Sequence, residues 1–214
     1  MGVITRGILG GFRKKTGSVV GAYWRKLDII RALPRASGKA ASPLQMAHRQ
    51  KFALVAAFLS EASDLIEVGF YSSDTGTAMN KAVAYHLREA VTGAAPDWKI
   101  DMSKFKYSVG RLKLPVNVHA AAQCDQRIRF EWDGANNDDK YTKPDHLVTF
   151  VVFNASKQRF VSKVGATTRS AGSYELQLPE NFEGDTVHLY ISFSSLATKQ
   201  HSNSLYVGEV VMTC

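Results

Sequence analysis

The chain has 214 residues, 45% of them hydrophobic and 21% charged, which supports a packed core and excludes a wholly disordered tail. No apolar run approaches the roughly eighteen residues that a membrane-spanning helix needs, so no transmembrane segment is expected. The net charge of +8 is unevenly placed: residues 1–51 hold eleven Lys/Arg against Asp28 alone, a net of +10, whereas residues 52–214 hold sixteen basic and eighteen acidic residues. Such asymmetry points to a basic arm that meets a polyanion or the acidic face of a neighbouring subunit.

The N-terminus does not read as a secretory signal, because Arg13-Lys14-Lys15 interrupt the short apolar run "GILGGF". Arg6 also stands where an N-myristoylation motif has Ser or Thr. The expectation is a protein made in the cytoplasm, or a component of a particle. Residues 1–41 form the arm. Its β-branched and aromatic residues predict two short extended segments, Ser18–Trp24 and Leu27–Leu33, paired as a hairpin. Pro34 and the polar run "RASGKAAS" then read as a linker.

Residues 42–103 read as a two-helix hairpin. Ser42-Pro43-Leu44-Gln45 combines a capping serine, a proline at the first helical position and a capping-box glutamine. Leu44, Phe52, Val55, Leu59, Ala62 and Ile66 follow at helical spacing, with Gly69 as the stop. Met79, Val83, Leu87 and Val91 mark a second helix from about Thr77, closed by Gly93.

From Lys104 to the end the period falls to two. Phe105, Tyr107 and Val109 alternate with polar residues, and the parity flips after Gly110, which predicts a bulge. Ile128, Phe130 and Trp132 alternate with Arg129 and Glu131, while "HLVTFVVFN" is apolar on both faces, as a central strand requires. Tyr174, Leu176 and Leu178, then Val187, Leu189, Ile191 and Phe193, and finally "NSLYVGEVVM" add further strands. About seven strands separated by polar turns predict an antiparallel β-sandwich over 104–214. Trp132 in an early strand and Tyr190 in a late one, after "LPENFEGD", resemble a fibronectin-III or immunoglobulin-like domain. The fold class is thus α+β.

No motif for catalysis stands out. The six histidines lack metal-ligand spacing, and "AAQCDQR" around Cys124 matches no nucleophile context. Cys124 and Cys214 read as free thiols. The acidic loop "DGANNDDKYTKPD", residues 133–145, lacks the ordered spacing of a calcium loop and reads as a solvated turn, with calcium as the alternative. Trp132 reads as core, and Trp98, after Pro96-Asp97 in a linker, as the most exposed of the three tryptophans. No catalytic residue, metal ligand, cofactor or small-molecule substrate is assigned.

The arm carries the functional expectation. Arg13, Lys14, Lys15, Arg25, Lys26, Arg31 and Arg35 supply charge, and Tyr23 and Trp24 supply aromatic surface. One reading is an assembly arm that adds its strands to a neighbour's sheet, giving a homo-oligomer or a larger, phage-like particle. The alternative is nucleic-acid binding, with cations on phosphates and the two rings stacked on bases. A plain basic surface segment is the third.

The runs "GILGGF…TGSVVGAYW…LDIIRALP", "Q…RQKF", "N…A" and "SNSLYVG" resemble an uncharacterised family of Bacteroidota, the domain of unknown function 6266. That resemblance covers nearly the whole chain and implies no activity. Where the family pattern has glycines, this chain has Lys14 and Lys26. Both exchanges add charge and remove backbone freedom, which argues against a tight glycine turn at 26.

Overall fold

Alternating β-branched and small residues in the N-terminal unit, Met1–Pro43, build a four-stranded antiparallel sheet. Its strands are β1 (Gly2–Val3), β2 (Lys14–Thr16), β3 (Val19–Trp24) and β4 (Leu27–Ala32), in the order β1-β4-β3-β2. In this computed structural model the described residues are 2–3, 11–24, 26–35, 38–70, 76–134 and 141–212, with the backbone alone at 2–3. The predicted hairpin is present as β3–β4, with Trp24 opposite Leu27. Of the "GILGGF" run, Gly7–Gly10 lie outside the described residues, as do Arg25, residues 135–140 of the acidic loop, and Cys214.

The second unit, Leu44–Cys214, holds the helices and the sandwich. Helix α1 (Pro43–Ser60) starts where the capping signature predicts. The single long helix expected to run to Gly69 is instead two, α1 and α2 (Ser63–Gly69), so with α3 (Ala78–Glu89) there are three described helices rather than two. The break lies at Glu61-Ala62. There the Ser60 hydroxyl donates to the Ala57 carbonyl at 2.6 Å, and Ala62 N–H turns back to Leu59. Side-chain bonds of this kind offer carbonyls an alternative to the next helical turn. The buried line of α3 is Ala78, Ala82 and His86, one residue displaced from the predicted stripe, with Met79, Val83 and Leu87 partly buried beside it. Two alanines leave room for α2 to approach.

After α3 comes a hairpin of β5 (Val91–Ala94) and β6 (Asp97–Ile100), read from sequence as helix end and linker. The expected strand at 104–109 is replaced by a 3₁₀ turn at Met102–Lys104 and an extended segment. That segment joins no ladder among the described residues; isolated bridges pair Phe70 with Val109 and Leu112 with Ser202, and side-chain bonds to His86 and Ser204 hold it between them. The parity flip at Gly110 reflects close passage against the His201 backbone rather than a bulge in a ladder.

The sandwich proper has β7 (Val116–Gln123), β8 (Arg127–Asp133) and β11 (Ser173–Gln177) in one sheet, in the order β11-β8-β7. The other contains β9 (Leu147–Asn154), β10 (Arg159–Thr168), β12 (Thr186–Ser195), β13 (Gln200–His201) and β14 (Leu205–Val211). Its path is β10-β9-β12, with β14 and β13 paired to β12. The seven main strands thus divide as first, second and fifth against third, fourth, sixth and seventh. This is a fibronectin-III-like arrangement.

Strand β9 decides where the cores lie. Its Val148, Phe150 and Val152 face the sandwich interior with Ile128, Phe130, Trp132, Leu189, Ile191 and Phe193. Its Val151 and Phe153 face the other way and join Tyr190 under Val55, Phe58, Leu59 and Ile66 of the helices. The Phe58 ring meets those of Phe105 and Phe153 edge-on, with centroids 5.2 Å away in each pair. Such edge-to-face pairs are worth about 0.5–1.5 kcal/mol beyond burial. A strand apolar on both faces is what this double burial demands.

Candidate functional site

In an antiparallel ladder opposite residues share a face and successive residues alternate. Val20, Ala22 and Trp24 of β3 therefore share one face with Lys15 of β2 and Leu27, Ile29 and Arg31 of β4. Gly21 and Tyr23 lie on the other face with Asp28 and Ile30. The second face is partly covered by the chain itself, although Tyr23 keeps 49% of its surface exposed. A Cβ on Gly21 would collide with the Phe12 carbonyl, a backbone atom, so that approach requires glycine, whereas one on Gly11 would push the Asp28 carboxylate aside. Arg13 adds to this cover, its guanidinium 4.4 Å from the Tyr23 ring centroid.

The first face carries the apolar hairpin tip. Ile29 is buried, but Trp24 keeps 51% of its surface exposed and Leu27 keeps 44%, side by side at the hairpin tip. Lys15 and Arg31 flank Val20 in one cross-strand row, one ladder spacing of about 4.8 Å to either side. Lys14 is exposed on β2, and Arg35 lies past β4. Arg25 falls outside the described residues.

Lys14 and Lys26 both adopt left-handed backbone, at φ 72° and 67°. The argument against a tight turn at 26 is therefore overturned. A two-residue connection between β3 and β4 has to turn with positive φ to match strand twist, and the lysine accepts that conformation. A non-glycine residue there costs about 1 kcal/mol or more.

Residues 1–43 carry nine Lys/Arg and Asp28, a net of +8 and hence the whole charge of the chain, while the larger unit has eighteen of each sign. Tyr23 and Trp24, adjacent in one strand, point to opposite faces, and Arg13 already covers one side of Tyr23. They cannot serve as a joint stacking platform.

The larger unit holds buried polar groups; for one of them, His86, the place between Val83 and Leu87 on the helix pattern predicts a packed or half-exposed side chain. His86 is fully buried: its Nδ1–H donates to the Ala82 carbonyl at 2.7 Å, and its Nε2 accepts from the Lys106 N–H at 3.2 Å. Those two bonds fix a neutral tautomer, and burial lowers its pKa below the ordinary 6.5, helped by nearby Lys106. Burial also lowers the pKa of His146, His188 and His201. Arg169 is buried with its guanidinium 4.2 Å over the Phe193 ring, and it donates to the Lys113 carbonyl. Its own carbonyl accepts the Trp132 indole N–H at 2.8 Å. These arrangements pin loops to the sandwich end.

Trp98 corrects an expectation. It is half-buried in β6 beneath Lys51, whose amine lies 5.5 Å from the ring, and Trp24 is the more exposed tryptophan. Pairing in the β5–β6 hairpin, invisible in a segment read as linker, turns this ring inward. Trp98 lines a cleft of about 670 Å³ with residues from α1, β9 and the start of β10. No local sequence signal links those segments.

The sequence pattern of a family described as a family of unknown function, DUF6266, matches residues 11–208. The chain belongs to this family. The DUF6266 match takes in the roofed arm sheet, the helices and nearly all of the sandwich, so the family pattern describes both units together. A comparison with curated proteins finds no match. Among solved structures, the chain is similar to the solution structure of the fn3 domain of human collagen alpha-1(XX) chain. The two share 14% identity over 48% of this chain and 88% of that one, with a TM-score of 0.34. Strand order and burial, rather than that likeness, define the sandwich.

Proposed function

We propose that this DUF6266 protein is a non-enzymatic structural or assembly protein whose basic N-terminal unit docks on a neighbouring copy or a partner subunit, in a phage-like or other large particle. The observation that carries this reading is the hairpin tip, where Trp24 and Leu27 stand exposed on an apolar strand face inside the unit that holds the entire net charge. Tryptophan and arginine are enriched among the energetic centres of protein interfaces. The sheet is small and its outer strands are short, three residues in β2 and two in β1; extended strands too short for a core of their own can add to a neighbour's sheet through main-chain bonds.

The test is light scattering of the full chain beside a Trp24→Ser/Leu27→Ser variant at several concentrations. Assembly that is present in the parent and lost in the variant supports the reading. A parent that stays monomeric at high concentration and without a partner in pull-down refutes it. Nucleic-acid binding is the competing outcome. It would appear as affinity falling steeply with salt, because each neutralised phosphate releases counterions.

A further inference from the structure

The 670 Å³ cleft in the larger unit opens between α1, the β5–β6 hairpin and the turn from β9 to β10. Its walls are flat and apolar, formed by Phe58, Phe153 and Trp98 with Ile100 and Met102 between them. Its size falls in the usual span for small-ligand sites, about 300–1,000 Å³. Aromatic walls of this kind favour a planar guest in stacked or edge-on contact.

The charged groups at the cleft select the sign of that guest. Lys157 is already committed, since its amine meets the Asn181 carbonyl and the Asp185 carboxylate. Arg159 forms no ion pair among the described residues, and Lys51 sits above the Trp98 ring. Against these two cations the cleft offers a single carboxylate, Glu61. Lys99, between Trp98 and Ile100 in β6, is turned by strand alternation to the opposite face of the hairpin. The indole N–H of Trp98 is buried with no acceptor among the described residues. A buried donor without a partner is costly and draws an acceptor when one is supplied.

We propose that this cleft binds a small aromatic carboxylate, with its ring between Trp98 and the two phenylalanines and its carboxylate held by Arg159, beside Lys51. A neutral ring would gain nothing from these cations, and a cationic one would be repelled. Nothing in this site depends on the N-terminal unit, so it stands or falls apart from the assembly role.

Three probes of similar shape separate the contributions: indole-3-acetate, indole-3-acetamide and tryptamine, with charges of −1, 0 and +1. Titration calorimetry and ligand-observed NMR on the full chain give the affinities. The expected order is acetate, then amide, then amine, with acetate at least about tenfold tighter than tryptamine, the factor that one well-placed charge contact supplies. Arg159→Ala should bring acetate down toward the level of the amide and leave the amide unchanged. Glu61→Gln should tighten acetate further. Both side chains are exposed, so the variants retain the fold, and a thermal melt checks it. Equal affinity for the three probes, no detectable acetate binding, or an acetate preference that survives the Arg159 substitution would overturn the proposal.

Discussion

Replacing His86 by phenylalanine tests the packing logic of the larger unit most directly. The phenyl ring fills the space between Phe105, at 5.4 Å, and Tyr85, at 5.1 Å, but it neither accepts from the Lys106 N–H nor donates to Ala82. Leaving a partly buried amide without its acceptor costs about 1–3 kcal/mol, so the variant should be less stable than the parent by that amount at pH 7.5. Acidification supplies the sharper criterion. Burial holds the folded-state pKa of His86 below 6.5, so between that value and 6.5 the unfolded chain binds more protons than the folded one. Stability from this residue is at full value above pH 6.5 and falls as the pH drops toward the folded pKa, by at most about 1.4 kcal/mol per pH unit. His146, His188 and His201 shift in the same direction but are common to both proteins and cancel in the difference. Urea denaturation followed by tryptophan emission, from pH 7.5 to 5, gives that difference. The gap should narrow steadily below pH 6.5. A gap that stays constant, or widens, would mean that His86 is not held neutral between Ala82 and Lys106.

Other outcomes follow from single contacts. Gly110→Ala should destabilise the larger unit by more than about 3 kcal/mol in the same denaturation assay, because the added Cβ would collide with the His201 carbonyl, a backbone atom that cannot swing away. Lys26→Gly should stabilise the N-terminal sheet by about 1 kcal/mol, read as slower amide exchange in β3 and β4, since glycine occupies φ 67° without strain. Trp132→Phe should cost about 1–3 kcal/mol by leaving the Arg169 carbonyl without its indole donor at 2.8 Å, and near-ultraviolet circular dichroism should report the altered packing against Phe150.

Sequence alone determined whatever depends on local period and composition. Alternation marked Ile128, Phe130 and Trp132, and Val187, Leu189, Ile191 and Phe193, as inward-facing, because a strand presents every second residue to one side. The two-sided apolar run at β9 announced a central strand, and the charge count placed every net positive charge at the N-terminal end. Tertiary structure decided the rest. Strands β7 and β10 escaped notice because "VNVHAAAQ" is rich in alanine and "RFVSKVGATT" is an edge strand irregular between Lys163 and Thr167. The division of the long helix at Ala62 and the inward turn of Trp98 rest on short-range bonds, Ser60 to Ala57 and the pairing of β5 with β6, that leave no mark on the hydrophobic period. The arm shows the same division: β3 and β4 were legible from β-branched residues, whereas β1 and β2 were not, and its roof needs Phe12 laid over Gly21, a contact set by close approach of backbones rather than by any local preference.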